Sequence, residues 1–469
     1  MTSFSDPGVW GFIVLFAVLS LSLLVANLLK KSFRWLRNSL IPTSVIGGIL
    51  LLIVVIIYEN VTGVDNMFNT PMFGGNGAAM LEMLTYHCLA LGFIASSLRP
   101  GAEKLNAKRR REIFDTGVTT VSTYLIQGIL GFGITLLIYK LGKELYPVSG
   151  LLLPFGYGQG TGQAMNYGAI YEADGFIGGK NFGLSIAALG FISAGIGGVI
   201  FLNVQKHRGK VVLEDDREEI TEIITGADIQ KPDEVPMNGS IDKMTLQVAI
   251  ILCTYGLAYG IMYLLGNVLL PGMSATVYGF NFLFGVLMAA LVKLVLNHME
   301  KKKIVKKKYI NPFLMQRISN FFFDMMIVAG VAVIRIEAVK HYWWLLILLG
   351  VLGAVITFFY NLFIAHKLFP RYADEQFLAM YGMLTGTASS GVILLREKDT
   401  DFKTPALDNL VFQNFPAIVF GFPMMILATF AMKKPELTFW ILVVFFAAMN
   451  VILFRHFIFK FKRKHKKKD

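Results

Sequence analysis

Pro154-Phe155-Gly156-Tyr157-Gly158-Gln159-Gly160-Thr161-Gly162-Gln163-Ala164 is the stretch on which the fold turns. It stands between two apolar runs, Ser149–Leu153 and Phe182–Asn203. Glycine at every second position cannot sustain a helix, and Pro154 removes a further backbone donor. Within a bilayer such a break bares N–H and C=O groups at a cost of roughly several kcal/mol each, tolerated only where they line a cavity and hold an ion or substrate. A second copy stands at Tyr381-Gly382-Met383-Leu384-Thr385-Gly386-Thr387-Ala388. It repeats, in register, the Tyr, Gly, Thr, Gly and Ala of Tyr157–Ala164. Two broken segments at matching places in two halves of a chain point to the binding site of a secondary transporter.

Composition agrees with a membrane setting. Of 469 residues, 55% are hydrophobic and only 16% charged, with a mean hydropathy of +0.59, too apolar for a soluble domain. The net charge of +13 would suggest a nucleic-acid partner in a soluble protein. Here the bases cluster in short loops and the C-terminal tail, which reads as positive-inside topology, with the lipid bilayer as partner and no nucleic acid. Cys88 and Cys253 both sit in apolar runs, so no disulfide framework is expected.

Eleven apolar spans are predicted: Val9–Leu29, Leu40–Tyr58, Ala78–Leu98, Thr116–Tyr139, Phe182–Val204, Lys243–Leu265, Thr276–Asn297, Pro312–Ile334, Tyr342–Ala365, Asp408–Met432 and Thr438–Phe454. The broken segments fall at 149–172, before the fifth span, and at 376–395, before the tenth. If each dips in and returns, an outside N-terminus places every strongly basic loop in the cytoplasm. These loops follow spans 1, 3, 5, 7 and 11. A full crossing by the first segment would move the Lys301–Lys308 cluster outside. Each half then has five crossings, an odd number, so the halves are inverted. The expected fold is therefore all-α and polytopic, with two inverted repeats of five transmembrane helices plus a re-entrant hairpin each, and one extra C-terminal helix. Residues 1–204 form the first repeat, 205–242 a cytoplasmic linker, 243–432 the second repeat, and 433–469 the extra helix with a basic cytoplasmic tail.

The chemistry is expected at the breaks. The hydroxyls of Thr161 and Thr385, with the carbonyls of Gly158, Gly160, Leu384 and Gly386, are hard oxygen donors suited to a small cation; the alternative is that each threonine caps the following half-helix. Half-helices starting near Gln163 and Thr387 aim positive dipole ends at the centre and favour an anionic group. Gly160, Thr161, Gly162, Gln163, Asn166, Thr385, Gly386, Thr387, Ser389 and Ser390 are thus the candidate substrate contacts. Gly158, Thr161, Leu384, Thr385 and Asp324 are the candidate sodium ligands. Asp324 lies roughly 18 Å into its span at about 1.5 Å per residue, near the midplane, where a charge is functional by default. Arg317 and Asn320 share its helix face. Glu82 and His87 are weaker candidates, and Lys293 lies close enough to a helix end to snorkel.

No Walker A sequence or His-Glu-x-x-His occurs, and the glycine run lacks the strand and acidic residue of a dinucleotide loop, so no enzyme activity or cofactor is expected. A channel or a non-transporting sensor remains a rival reading.

At these residues the chain resembles the bacterial sodium/glutamate symporter family. The likeness rests on Ile41-Pro42 followed by Gly47-Gly48, on Gly158-x-Gly160-Thr161-Gly162, on the glycine-rich fifth span, and on the Gly/Thr-rich run Gly382–Gly391. It covers about Ile13 to Met432. The resemblance implies a homodimer in the bacterial inner membrane, with sodium and a dicarboxylic amino acid bound between two re-entrant hairpins. A transport domain would slide against a scaffold. Gln159 stands where the family pattern has a histidine, and the second hairpin also departs from the glutamate carriers. The function expected is sodium-coupled symport of a small organic anion such as glutamate, with sodium as the coupling ion and alternating access as the mechanism. The alternative is a proton-coupled carrier or exporter of a different carboxylate on the same fold, with Asp324 or Glu82 titrating.

Overall fold

In a computed structural model the described residues are 4–99, 107–208, 234–237, 241–269, 274–305, 307–399 and 403–465. Among the described residues 84% are helical, and no strand occurs. In chain order the principal helices are α1 (Pro7–Ser32), α2 (Thr43–Thr62), α3 (Gly77–Leu98), α4 (Ala107–Lys140) and α5 (Leu152–Ala173). Then come α6 (Gly179–His207), α7 (Lys243–Tyr263), α8 (Asn281–Lys301), α9 (Pro312–Ala332) and α10 (Trp343–Leu368). The chain finishes with α11 (Ala373–Thr385), α12 (Ala388–Arg396), α13 (Ala406–Phe412), α14 (Asn414–Phe430) and α15 (Pro435–His465).

Nine helical segments among the described residues are long and apolar enough to cross a membrane, and ten if the bent pair α13 and α14 counts as one span. The expected span missing from these is the eighth, Pro312–Ile334, which corresponds to α9. It has 21 residues, but Gln316, Arg317, Asn320 and Asp324 make it more polar than the others. The tenth expected span, Asp408–Met432, is interrupted at Gln413, where Pro416 removes a helical donor one turn on. Most of the linker at 205–242 lies outside the described residues, as do Lys104, Lys306 and Lys466–Lys468.

The chain gathers into two compact units, each drawing on both halves of the sequence. One comprises Met1–Ser22, Leu50–Glu103 and Leu213–Val333, the other Leu23–Ile49, Lys104–Val212 and Ile334–Asp469. In the first unit α3 packs on α8 and α9 around Leu91, Ile94, Ala95, Leu98, Ala289, Met315 and Ile318. The Ser319 hydroxyl donates to the Gly92 carbonyl at 2.9 Å. Lys293, expected only to snorkel, caps the end of α3 through the Ser97 and Arg99 carbonyls at 3.0 and 2.8 Å. A buried ion pair, Lys243 to Glu234 at 2.8 Å, pins the last described linker residues to the start of α7. The Asn311 amide completes it by donating to the same Glu234 oxygen at 2.6 Å. A buried pair survives only with such full satisfaction.

The second unit holds both broken segments. Its closest packing is α5 on α6, and α11 packs on α12, α10 and α6. The additional helix α15 lies along α4. Asn450 forms a closed polar triangle with Ser122 and Tyr360, with sides of 2.5 to 3.0 Å. Nearer the helix end, Arg455 donates to Asp115 at 2.7 Å.

Candidate functional site

Helix α5 runs through Pro154 but breaks at Gly160, whose φ of 78° and ψ of −172° are non-helical. That region is essentially closed to any residue with a side chain, so the glycine is required there. Two half-helices result, and the second begins at Thr161, two residues before the expected start at Gln163. The second break lies between α11 and α12. Gly386 has φ −142° and ψ −104°, and Thr387 is extended at φ −142° and ψ 174°.

Helix α6 brings the two breaks together. Tyr157 and Tyr381, the tyrosines that open the two copies of the motif, converge on Ser193. The Tyr157 hydroxyl lies 2.9 Å from Ser193 Oγ and donates to the Gly350 carbonyl at 2.6 Å. The Tyr381 hydroxyl donates to the Ser193 carbonyl at 2.9 Å. One turn earlier Gly190 touches both segments. A Cβ there would stand 2.4 Å from the Thr385 carbonyl oxygen and 3.1 Å from the Tyr157 ring. No side chain fits, and this is what lets the Thr385 carbonyl approach α6.

Helix α4 braces the breaks from another side. The Tyr124 hydroxyl donates to the Gly158 carbonyl at 3.0 Å. Three residues on, Gln127 Nε2 donates to the Leu384 carbonyl at 2.9 Å and to Thr357 Oγ1 on α10 at 2.8 Å. Of the four carbonyls expected as cation donors, α4 thus holds two, Gly158 and Leu384. Each carbonyl retains a second lone pair.

Of the remaining site candidates, Thr161 and Thr385 are wholly buried. The Thr385 hydroxyl donates to the Tyr381 carbonyl at 2.7 Å, which leaves its lone pairs as acceptors. Asn166 Nδ2 donates to Gln163 Oε1 at 3.1 Å. Among the described residues Gln163 Nε2, Thr387 Oγ1 and Ser390 Oγ are buried without a hydrogen-bond partner. The Ser389 side chain lies outside the described residues. Gly162 is buried on the second half of α5. Thr387 is the N-cap of α12 but makes no capping bond through its side chain, so capping does not account for its hydroxyl.

Asp324 is half-buried on α9 and belongs to the other compact unit from Thr161 and Thr385. Glu82 is half-buried on α3. His87 Nδ1 lies 2.8 Å from the Tyr255 hydroxyl, a packing partner within its own unit. No cluster of three His, Cys, Asp or Glu side chains occurs among the described residues. From Pro154 to Tyr171 and from Gln376 to Leu395 there is no carboxylate, so the oxygen atoms these two segments offer a cation are carbonyls, hydroxyls and carboxamides, which suit a hard monovalent ion.

Tyr124, Gln127, Ser193 and Thr357 were not legible as site residues beforehand. One signal was present. Thr116-Gly117-Val118-Thr119-Thr120-Val121-Ser122-Thr123-Tyr124 is unusually rich in hydroxyls for an apolar span, and polar groups at membrane depth face protein rather than lipid.

Residues 11–383 match the family described as sodium/glutamate symporter. The chain belongs to the sodium/glutamate symporter family. Membership in this family makes it a transporter of the symporter kind, with sodium and glutamate as the family's ion and substrate. The match takes in the first broken helix and stops at Met383, two residues short of Thr385. The break at Gly386 and all of α15 lie beyond the matched residues. No curated protein matches the chain.

Proposed function

We propose that this protein is a sodium-coupled symporter of glutamate or a related acidic amino acid, working by alternating access as a homodimer in the bacterial inner membrane. The observation that carries the reading is the convergence of both broken helices on Gly190 and Ser193 within one compact unit. The donors Gln163 Nε2, Thr387 Oγ1 and Ser390 Oγ, buried without partners, are where a substrate carboxylate would repay their desolvation. The start of α12 adds a positive dipole end. The C-terminal carbonyls of α11 and the Thr385 hydroxyl offer oxygen to sodium. A site built wholly within one unit travels with that unit, so exposure to either side needs no rebuilding of the ligand shell.

Sodium is favoured over protons as the coupling ion because neither break carries a titratable acid or base. From Pro154 to Tyr171, and from Gln376 to Leu395, there is no Asp, Glu, His, Lys or Arg. The two acids expected for proton coupling, Asp324 and Glu82, lie in the other unit. The test is counterflow of radiolabelled glutamate in liposomes, with sodium or choline outside and with or without a pH gradient. Saturable, sodium-dependent exchange is expected. Uptake driven by the pH gradient in choline would favour the proton carrier, and non-saturable flux would favour a channel.

A further inference from the structure

Gln127 meets the second break from α4 and keeps one polar atom that the break does not account for. It is wholly buried on α4, and its carboxamide orientation is settled by its neighbours. The nitrogen faces the Leu384 carbonyl at 2.9 Å and Thr357 Oγ1 at 2.8 Å. The reversed rotamer would set oxygen against the Leu384 carbonyl oxygen, so the nitrogen must point there. The carboxamide oxygen therefore points away from these partners, and it is buried with no hydrogen-bond donor among the described residues. A buried acceptor left bare is costly.

The end of α11 that Gln127 meets through its nitrogen offers acceptors. The last turn of α11 ends at Thr385, and its carbonyls form the negative end of a helix dipole. The Thr385 hydroxyl has committed its hydrogen to Tyr381. Gly190, lacking a side chain, lets the Thr385 carbonyl lie against α6. An unpaired oxygen beside a helix C-terminus calls for a positive charge rather than another acceptor.

We propose that the Gln127 carboxamide oxygen is a ligand of the coupling cation, adding α4 to the ion site formed at the C-terminal end of α11. This rests on the sodium-symport reading above. The amide nitrogen meanwhile holds the Leu384 carbonyl, so one side chain ties the ion to the geometry of the second break. Neutral oxygen ligands of this kind suit a small monovalent cation, and the adjacent α12 N-terminus stays free for the substrate anion.

The test uses the purified full-length protein without substrate. Thermal unfolding is followed while sodium chloride replaces choline chloride at constant ionic strength, in wild type, Gln127→Met and Gln127→Glu. Met keeps the length and removes both polar atoms, whereas Glu keeps the oxygen and loses the donor. Both variants are expected to melt lower in choline, because the contacts to Leu384 and Thr357 are gone. Only Gln127→Met should need more sodium for half-maximal stabilisation, by roughly 5- to 150-fold, as for a lost buried polar contact. Gln127→Glu should hold or lower that midpoint. If Met leaves the sodium midpoint unchanged, or if Met and Glu raise it equally, Gln127 is a brace only and the proposal is overturned. If sodium does not stabilise wild type at all, the sodium-symport reading itself fails, and the proposal falls with it.

Discussion

Thr161 and Thr385 occupy the same place in the two copies of the motif, and both are wholly buried. Their companions Tyr157 and Tyr381 meet on Ser193, so the two copies share one neighbourhood despite their separation in the chain. Thr→Val at either position keeps the bulk and removes an oxygen ligand or hydrogen bond. In a water-poor site that loss is about 1–3 kcal/mol, or roughly 5- to 150-fold in affinity. If both hydroxyls serve one ligand set, the double variant should show a coupling energy above about 0.5 kcal/mol. The apparent affinities for sodium and glutamate in liposomes, for the two singles and the double, decide the matter. Simple additivity, or silence of either single variant, would reduce the threonines to local hydrogen bonds within their half-helices.

At the scale of the element, the first break depends on one backbone conformation. Gly160 at φ 78° and ψ −172° lets α5 stop and restart without a loop, so both half-helix ends stay at the same depth. Alanine in this region costs about 1–3 kcal/mol, and the strain relaxes by remaking the helix through residue 160. Gly160→Ala is expected to lower thermal stability by that amount or, if the helix re-forms, to abolish sodium-dependent uptake while the protein still inserts. Uptake and melting temperature both at wild-type levels would sink the argument that the break is functional. The second break uses Gly386 and an extended Thr387 instead, at negative φ.

For the whole molecule, the partition into units explains why two half-chains are needed. Each unit takes helices from both halves, and a symmetric pair of inverted halves would place their equivalent breaks in one body. The inverted topology is our proposal from loop charge. We expect cysteines introduced at Ser3 and at Gly226 to react from opposite sides of the membrane with an impermeant reagent. Same-side labelling would end the inverted-repeat argument. The energetic consequence of symport also belongs to this scale. Each excess positive charge entering an inward-negative cell supplies about 2.3 kcal/mol per 100 mV, or roughly 50-fold accumulation for one sodium beyond electroneutrality.

The membrane class, the positions of both breaks and the family were all legible in the sequence, because each is local. Apolar runs long enough to span, alternating glycines and the Tyr-Gly-x-x-Thr-Gly-x-Ala repeat need no knowledge of neighbours. The exact residue of the first break was not legible: the second half-helix was expected near Gln163, and of the four glycines in the run only Gly160 leaves the helix. What meets the breaks was decided only by packing. Tyr124 and Gln127 sit in a span whose apolar character hid them. They act because α4 runs beside both breaks, and Gly190 and Ser193 act because α6 packs on both α5 and α11. The same holds for Asp324, whose depth could be counted along its helix but whose assignment to the other unit could not. Helical periodicity tells which residues share a face; which partner that face meets depends on contacts between residues far apart in the chain, and only the folded structure supplies those.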